Sequence, residues 1–99
     1  MSKGGYVYII SNKNRTVLYT GVTSHLQSRT YQHKQREGSL FARKYGCTDL
    51  MYYEVFGDIE SAIAREKQIK KWKRVYKENV VNKFNPEWTD LYDKNLDYD

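Results

Sequence analysis

The sequence predicts an α+β fold, a small three-stranded sheet (antiparallel or mixed) flanked by helices, in roughly ββααβαα order. Three observations predict it. Two β-rich runs, Tyr6–Ser11 and Thr16–Val22, flank the polar break Asn12-Lys13-Asn14-Arg15, as in a hairpin. A third run, LMYYEVF at Leu50–Phe56, closes on Gly57-Asp58. Segments with helical caps, stops and periodicity separate and follow these strands.

In the first strand, alternation puts Tyr6, Tyr8 and Ile10 on one face and Val7 and Ile9 on the other. In the second, Tyr19 and Gly21 share a face, opposite Leu18, Thr20 and Val22. Thr23 or Ser24 then caps a helix running to Glu37, with Gly38 as its stop. A short helix over Leu40–Tyr45 precedes the third strand. Asp58 caps the long helix IESAIAREKQIKKWKR, and a further helix spans Tyr76–Lys83 until Asn85-Pro86 stops it. Residues 1–84 form the domain. Residues 85–99 are an acidic tail, partly docked through Trp88, Leu91 and Tyr92 and frayed beyond them.

Ninety-nine residues, 29% charged and 39% hydrophobic, suit one domain with a single modest core. No apolar run is long enough to span a membrane, and MSKGGY has no signal-peptide core. A lone cysteine, Cys47, excludes an internal disulfide or a multi-cysteine zinc site and points to the cytoplasm. Charge is uneven. Residues 1–83 hold sixteen Lys/Arg against seven Asp/Glu, and residues 84–99 one against five. The body at +9 suits a polyanion, nucleic acid before anionic membrane.

Some residues fit poorly as packing alone. Glu66 falls within the apolar stripe Ile59, Ala62, Ile63, Ile69, where a carboxylate needs a cationic partner or a metal. Arg29 and His33 lie four apart on one helical face beside Leu26 and Thr30. Each alone has an ordinary reading, an ion pair at the edge of the core or an amphipathic margin. With Tyr8 and Tyr19 they form a set suited to phosphodiester cleavage. The carboxylate holds Mg²⁺ or Mn²⁺, the guanidinium matches phosphate oxygens, and a phenol or imidazole accepts the attacking water's proton. Lys67, Lys70, Lys71 and Arg74 form either a track for a phosphate backbone, with Trp72 or Tyr76 beside bases, or a solvated lysine-rich face.

Tyr6-Val7-Tyr8 and, eleven positions on, Tyr19-Thr20-Gly21 resemble the paired tripeptides of the GIY-YIG nuclease superfamily. Arg29, His33 and Glu66 stand where that family has its helix-borne arginine, its His or Tyr, and its metal-binding glutamate. REKQIKKWKR followed by NPEWTDL is most similar to the small stand-alone bacterial UPF0213 group, and the likeness covers nearly the whole chain. The resemblance implies a metal-dependent endonuclease of DNA, with roles in repair or recombination. The alternative is a binding module of the same fold without turnover. It implies Tyr19 as proton acceptor, Tyr8 as a second phenol, Arg29 as phosphate stabiliser, Glu66 as metal ligand, and His33 as a proton carrier or support for Tyr19. It further implies DNA in preference to RNA as partner and a protein partner for targeting; no membrane association and a monomeric state are expected beside it. Tyr6 replaces the name-giving glycine and Thr20 the isoleucine. Asn79, Asn82 and Asn85 remain open as the family's asparagine.

Overall fold

A computed structural model describes residues 4–93. The elements run β1 (Gly5–Ser11), β2 (Leu18–Thr23), α1 (Leu26–Lys34), α2 (Leu40–Tyr45), β3 (Asp49–Phe56), α3 (Ile59–Lys70) and α4 (Arg74–Phe84). The sheet order is β2-β1-β3 with both pairings antiparallel, so the sheet is not mixed and β1 is central. The fraying expected at the end of the tail lies outside the described residues.

Because β1 is covered on both faces, its alternation sorts two cores. Val7 and Ile9 pack with Met51, Tyr52, Ala62, Ile69 and Val81. Tyr8 and Ile10 pack with Leu26, Ala42, Cys47 and Leu50. Met51 and Tyr52 are neighbours in sequence yet share a core. A register shift allows it, since Ile9 faces Tyr52 while Ile10 faces Leu50, leaving Met51 as the extra residue of a bulge.

The tail closes that irregular edge. Leu50 donates its N–H to the Asp90 carboxylate at 2.9 Å and accepts from the Leu91 N–H at 2.8 Å. Asn85, buried, donates to the carbonyls of Met51 (3.2 Å) and Thr89 (2.7 Å). Trp88 and Leu91 dock on the two cores, as their apolar character predicts.

Three boundaries differ from the sequence expectation. The first helix starts after Thr23, whose hydroxyl accepts the His25 N–H in a local turn and caps nothing. It ends at Lys34 rather than Glu37, because Arg36 takes the left-handed turn (φ 59°) expected of a glycine stop. The long helix ends at Lys70, not Arg74. There Trp72 turns onto the core beneath the Arg65 guanidinium, and Arg74 opens the next helix earlier than Tyr76. Asp58 caps α3 as predicted, accepting the Ser61 N–H at 2.7 Å. Ile63, placed on the buried stripe by periodicity, is exposed.

Candidate active site

Tyr8 of β1 lies directly opposite Gly21 of β2. A Cβ at Gly21 would sit 2.4 Å from both Cζ and the hydroxyl oxygen of Tyr8, so the phenol lies across the glycine. The second tripeptide thus needs its glycine for space. From α1, His33 brings Nε2 to 2.9 Å from the Tyr8 hydroxyl oxygen. His33 is 2% exposed, and Gly38 presses on its other side, where a Cβ would meet Nδ1 at 2.3 Å. Gly38, expected as a helix stop, instead walls in the imidazole.

Nδ1 has no hydrogen-bond partner among the described residues, so the contact with the Tyr8 hydroxyl is the polar contact that holds the imidazole. Burial raises the Tyr8 pKa, reinforced by Tyr19 and Glu66 and partly opposed by Arg29, so the group stays a phenol. Burial, with Arg29 nearby, lowers His33 to about 4, which keeps the imidazole neutral at pH 7.

Tyr19 adjoins the pair, its ring centroid 5.9 Å from that of His33. His33, expected to carry a proton or to support Tyr19, hydrogen-bonds Tyr8 and meets Tyr19 through its ring. Glu66 of α3 faces the same side-chain cluster with 13% of its side chain exposed, ion-paired to Lys70 at 3.1 Å. The Lys70 ammonium also lies 5.7 Å from the Tyr19 ring centroid. Arg29 is half-buried and forms no salt bridge with any described residue, which leaves its guanidinium available to an anion.

The structure thus brings Tyr8, Tyr19, His33, Arg29 and Glu66 into one electrostatic neighbourhood. The basic residues divide. Lys67 and Lys71 are exposed, Lys70 is engaged by Glu66, and Arg74 bonds the carbonyls of Thr16 (2.7 Å) and Arg15 (3.0 Å) and the Glu78 carboxylate (2.7 Å). Of the asparagines, Asn85 and Asn82 serve the tail, the latter accepting the Trp88 indole N–H, while Asn79 is exposed. Among the described residues no group of three or more His, Cys, Asp and Glu could cage a metal. What the site offers is one largely buried carboxylate, paired to Lys70.

The chain belongs to the GIY-YIG family, whose catalytic domain matches residues 4–79, and to its UPF0213 group. It is 35% identical over 81 residues to a UPF0213 protein of Natronomonas pharaonis, covering 82% of this chain and 94% of that protein. It is 36% identical over 72 residues to a UPF0213 protein of Streptococcus pyogenes, covering 73% of this chain and 77% of the relative. The solution structure of a UPF0213 protein from Bacillus halodurans is similar with TM-score 0.55 and 28% identity, over 86% of this chain and 89% of that one. The three-stranded α+β architecture is shared with that structure. The nuclease-family domain agrees with a nucleic-acid partner. No described helix is long and apolar enough to cross a membrane.

Proposed function

We propose that this chain is a divalent-metal-dependent endonuclease that hydrolyses DNA phosphodiester bonds. One observation carries the reading: a guanidinium with no ion pair among the described residues, a buried phenol–imidazole pair, a second phenol and a largely buried carboxylate meet in one cluster. Arg29 binds the non-bridging phosphate oxygens and gains most where charge builds in the transition state. Tyr8, held by its hydrogen bond with His33, places a second hydroxyl beside the phosphate. Tyr19 orients the attacking water by accepting its hydrogen bond and relays the proton to solvent. Glu66 supplies the metal ligand. A single hard carboxylate fits Mg²⁺ or Mn²⁺, which take much of their coordination from water and substrate phosphate. Such an ion, when bound, polarises the phosphate and stabilises charge on the leaving oxygen.

Lys67 and Lys71 follow the backbone, while Arg74 adds charge but is held by the β1–β2 turn. A repair or recombination setting, a targeting partner, a monomeric state and a cytoplasmic address complete the reading. Cys47 fits that address, being buried and free, with its thiol pKa raised by burial.

The Lys70–Glu66 ion pair favours a second reading, a binding module in which that pair is structural. Cleavage of labelled single-stranded, duplex and branched DNA, and of RNA, with Mg²⁺, Mn²⁺ or chelator separates the two. Glu66→Gln should lower metal-dependent cleavage by about 10²-fold or more while sparing binding and thermal stability. Binding without cutting by wild type, or a Glu66→Gln change that lowers only stability, gives the module reading.

A further inference from the structure

A row of rings leaves the candidate site through Tyr19. Phe41 stacks on Tyr19 with centroids 5.7 Å apart and planes 25° apart, and Tyr45 follows at 4.7 Å from Phe41. Each end of the row carries an ammonium over a ring, Lys70 at 5.7 Å from Tyr19 and Lys44 at 5.4 Å from Tyr45. The helix that supplies the row is anchored by Ala42, its one buried residue, and turns its bulk outward. Leu40 is 72%, Phe41 46% and Tyr45 44% exposed. Its sequence LFARKY has two cations and no acid.

Packing does not explain three large apolar side chains held in water on six residues of helix. Partly exposed rings set between cations, beginning at a phenol of the site, are the kind of surface against which unpaired bases pack while phosphates meet Lys and Arg. Paired bases keep their faces inside the duplex and cannot use it. We propose that Tyr19, Phe41 and Tyr45 form a stacking platform for unpaired nucleotides beside the cleaved phosphate, so that the substrate is single-stranded DNA or a junction with a frayed strand. This rests on the nuclease reading and narrows its substrate. The charge decides the occupant. A protein partner seated here would cover the Tyr19 phenol, whereas a nucleic acid delivers its phosphate to it.

The test is binding of a fluorescent oligothymidine of about 15 nucleotides, and of a duplex of equal length, in chelator at low salt. Wild type, Phe41→Ala, Phe41→Trp and the double variant Phe41→Ala/Tyr45→Ala are compared after thermal unfolding shows all of them folded. Phe41→Ala should weaken single-strand binding about tenfold and the double variant further, with duplex affinity within about twofold of wild type. Phe41→Trp should retain single-strand affinity and report it by quenching of the new indole. Equal losses on both DNAs, or none on the single strand, overturn the platform. So does loss of self-association in Phe41→Ala with single-strand affinity intact, which assigns the surface to a protein contact. No turnover is read in chelator. Failure of Glu66-dependent cleavage with the Phe41 effect present therefore condemns only the catalytic reading, and the converse condemns only the platform.

Discussion

His33 is enclosed by Tyr8 on one side and Gly38 on the other, and this enclosure makes it a pH-sensitive element of stability. Its folded pKa of about 4 lies below the ordinary value of 6.5, so between those values the unfolded chain binds the extra proton. His33 therefore contributes stability that is present above pH 6.5 and lost as the pH falls toward 4. Urea unfolding at neutral pH and near pH 4.5 should show wild type losing about 2–3 kcal/mol more than His33→Gln, which keeps a hydrogen bond to Tyr8 but does not titrate. Equal losses would mean that the imidazole is as solvated as in the unfolded chain. Residue spacing made the members of this cluster legible, because strand and helix periods fix which side chains share a face. Their pairing was not legible. That His33 bonds Tyr8 instead of Tyr19 depends on where α1 docks, and the need for Gly21 depends on hairpin register. Thr20, in the place of the family's isoleucine, buries a hydroxyl without a partner among the described residues, an expense invisible without the packed core.

At the scale of elements, the β3 bulge and the tail explain each other. The bulge leaves Met51 without a partner on β1, and the backbone groups of Leu50 and Met51 are met by Asp90, Leu91 and Asn85. Without that cover, β3 would present an irregular open edge. Asn85→Ala removes an amide that also accepts from the Thr89 N–H and hydroxyl, leaving buried partners unmet. It should destabilise the fold by about 1–3 kcal/mol, lowering Tm by roughly 4–8 °C per kcal/mol. Asn79→Ala, at an exposed position, should stay within about 0.5 kcal/mol of wild type. Comparable losses at both positions in a thermal melt would show that the tail contributes little. Asn-Pro after an amphipathic run read correctly as a stop, but sequence separates Asn85 from Met51 by a whole helical hairpin. The bulge that makes the contact necessary has no local signal in LMYYEVF. The break after Lys70 was missed for a similar reason. Lysines continue the helical pattern, and only the docking of Trp72 on the core ends it.

For the whole molecule, the distribution of charge matters more than its total. The surplus of basic residues lies in the first 83 positions, while the acidic segment binds back through Lys34, which contacts Asp90 and sits 5.1 Å from the Tyr92 ring centroid. Cations committed to such contacts cannot each release counterions on binding DNA, so a count of lysines and arginines overstates the binding surface. Lys67 and Lys71 are exposed, whereas Arg74 is tied to two carbonyls of the hairpin turn and to Glu78. Each phosphate neutralised contributes about −0.7 on single strands, and about −0.9 on duplex, to the slope of log Kobs against log salt. Lys67→Ala and Lys71→Ala should each flatten that slope by close to one contact and leave Tm unchanged. Arg74→Ala should do the reverse, lowering Tm by freeing the turn from α4 while moving the slope less. Salt titrations of single-strand affinity on the three variants, paired with thermal melts, decide it. A flattened slope for Arg74→Ala with none for the lysines would place the backbone track at the start of α4 and away from the exposed face of α3.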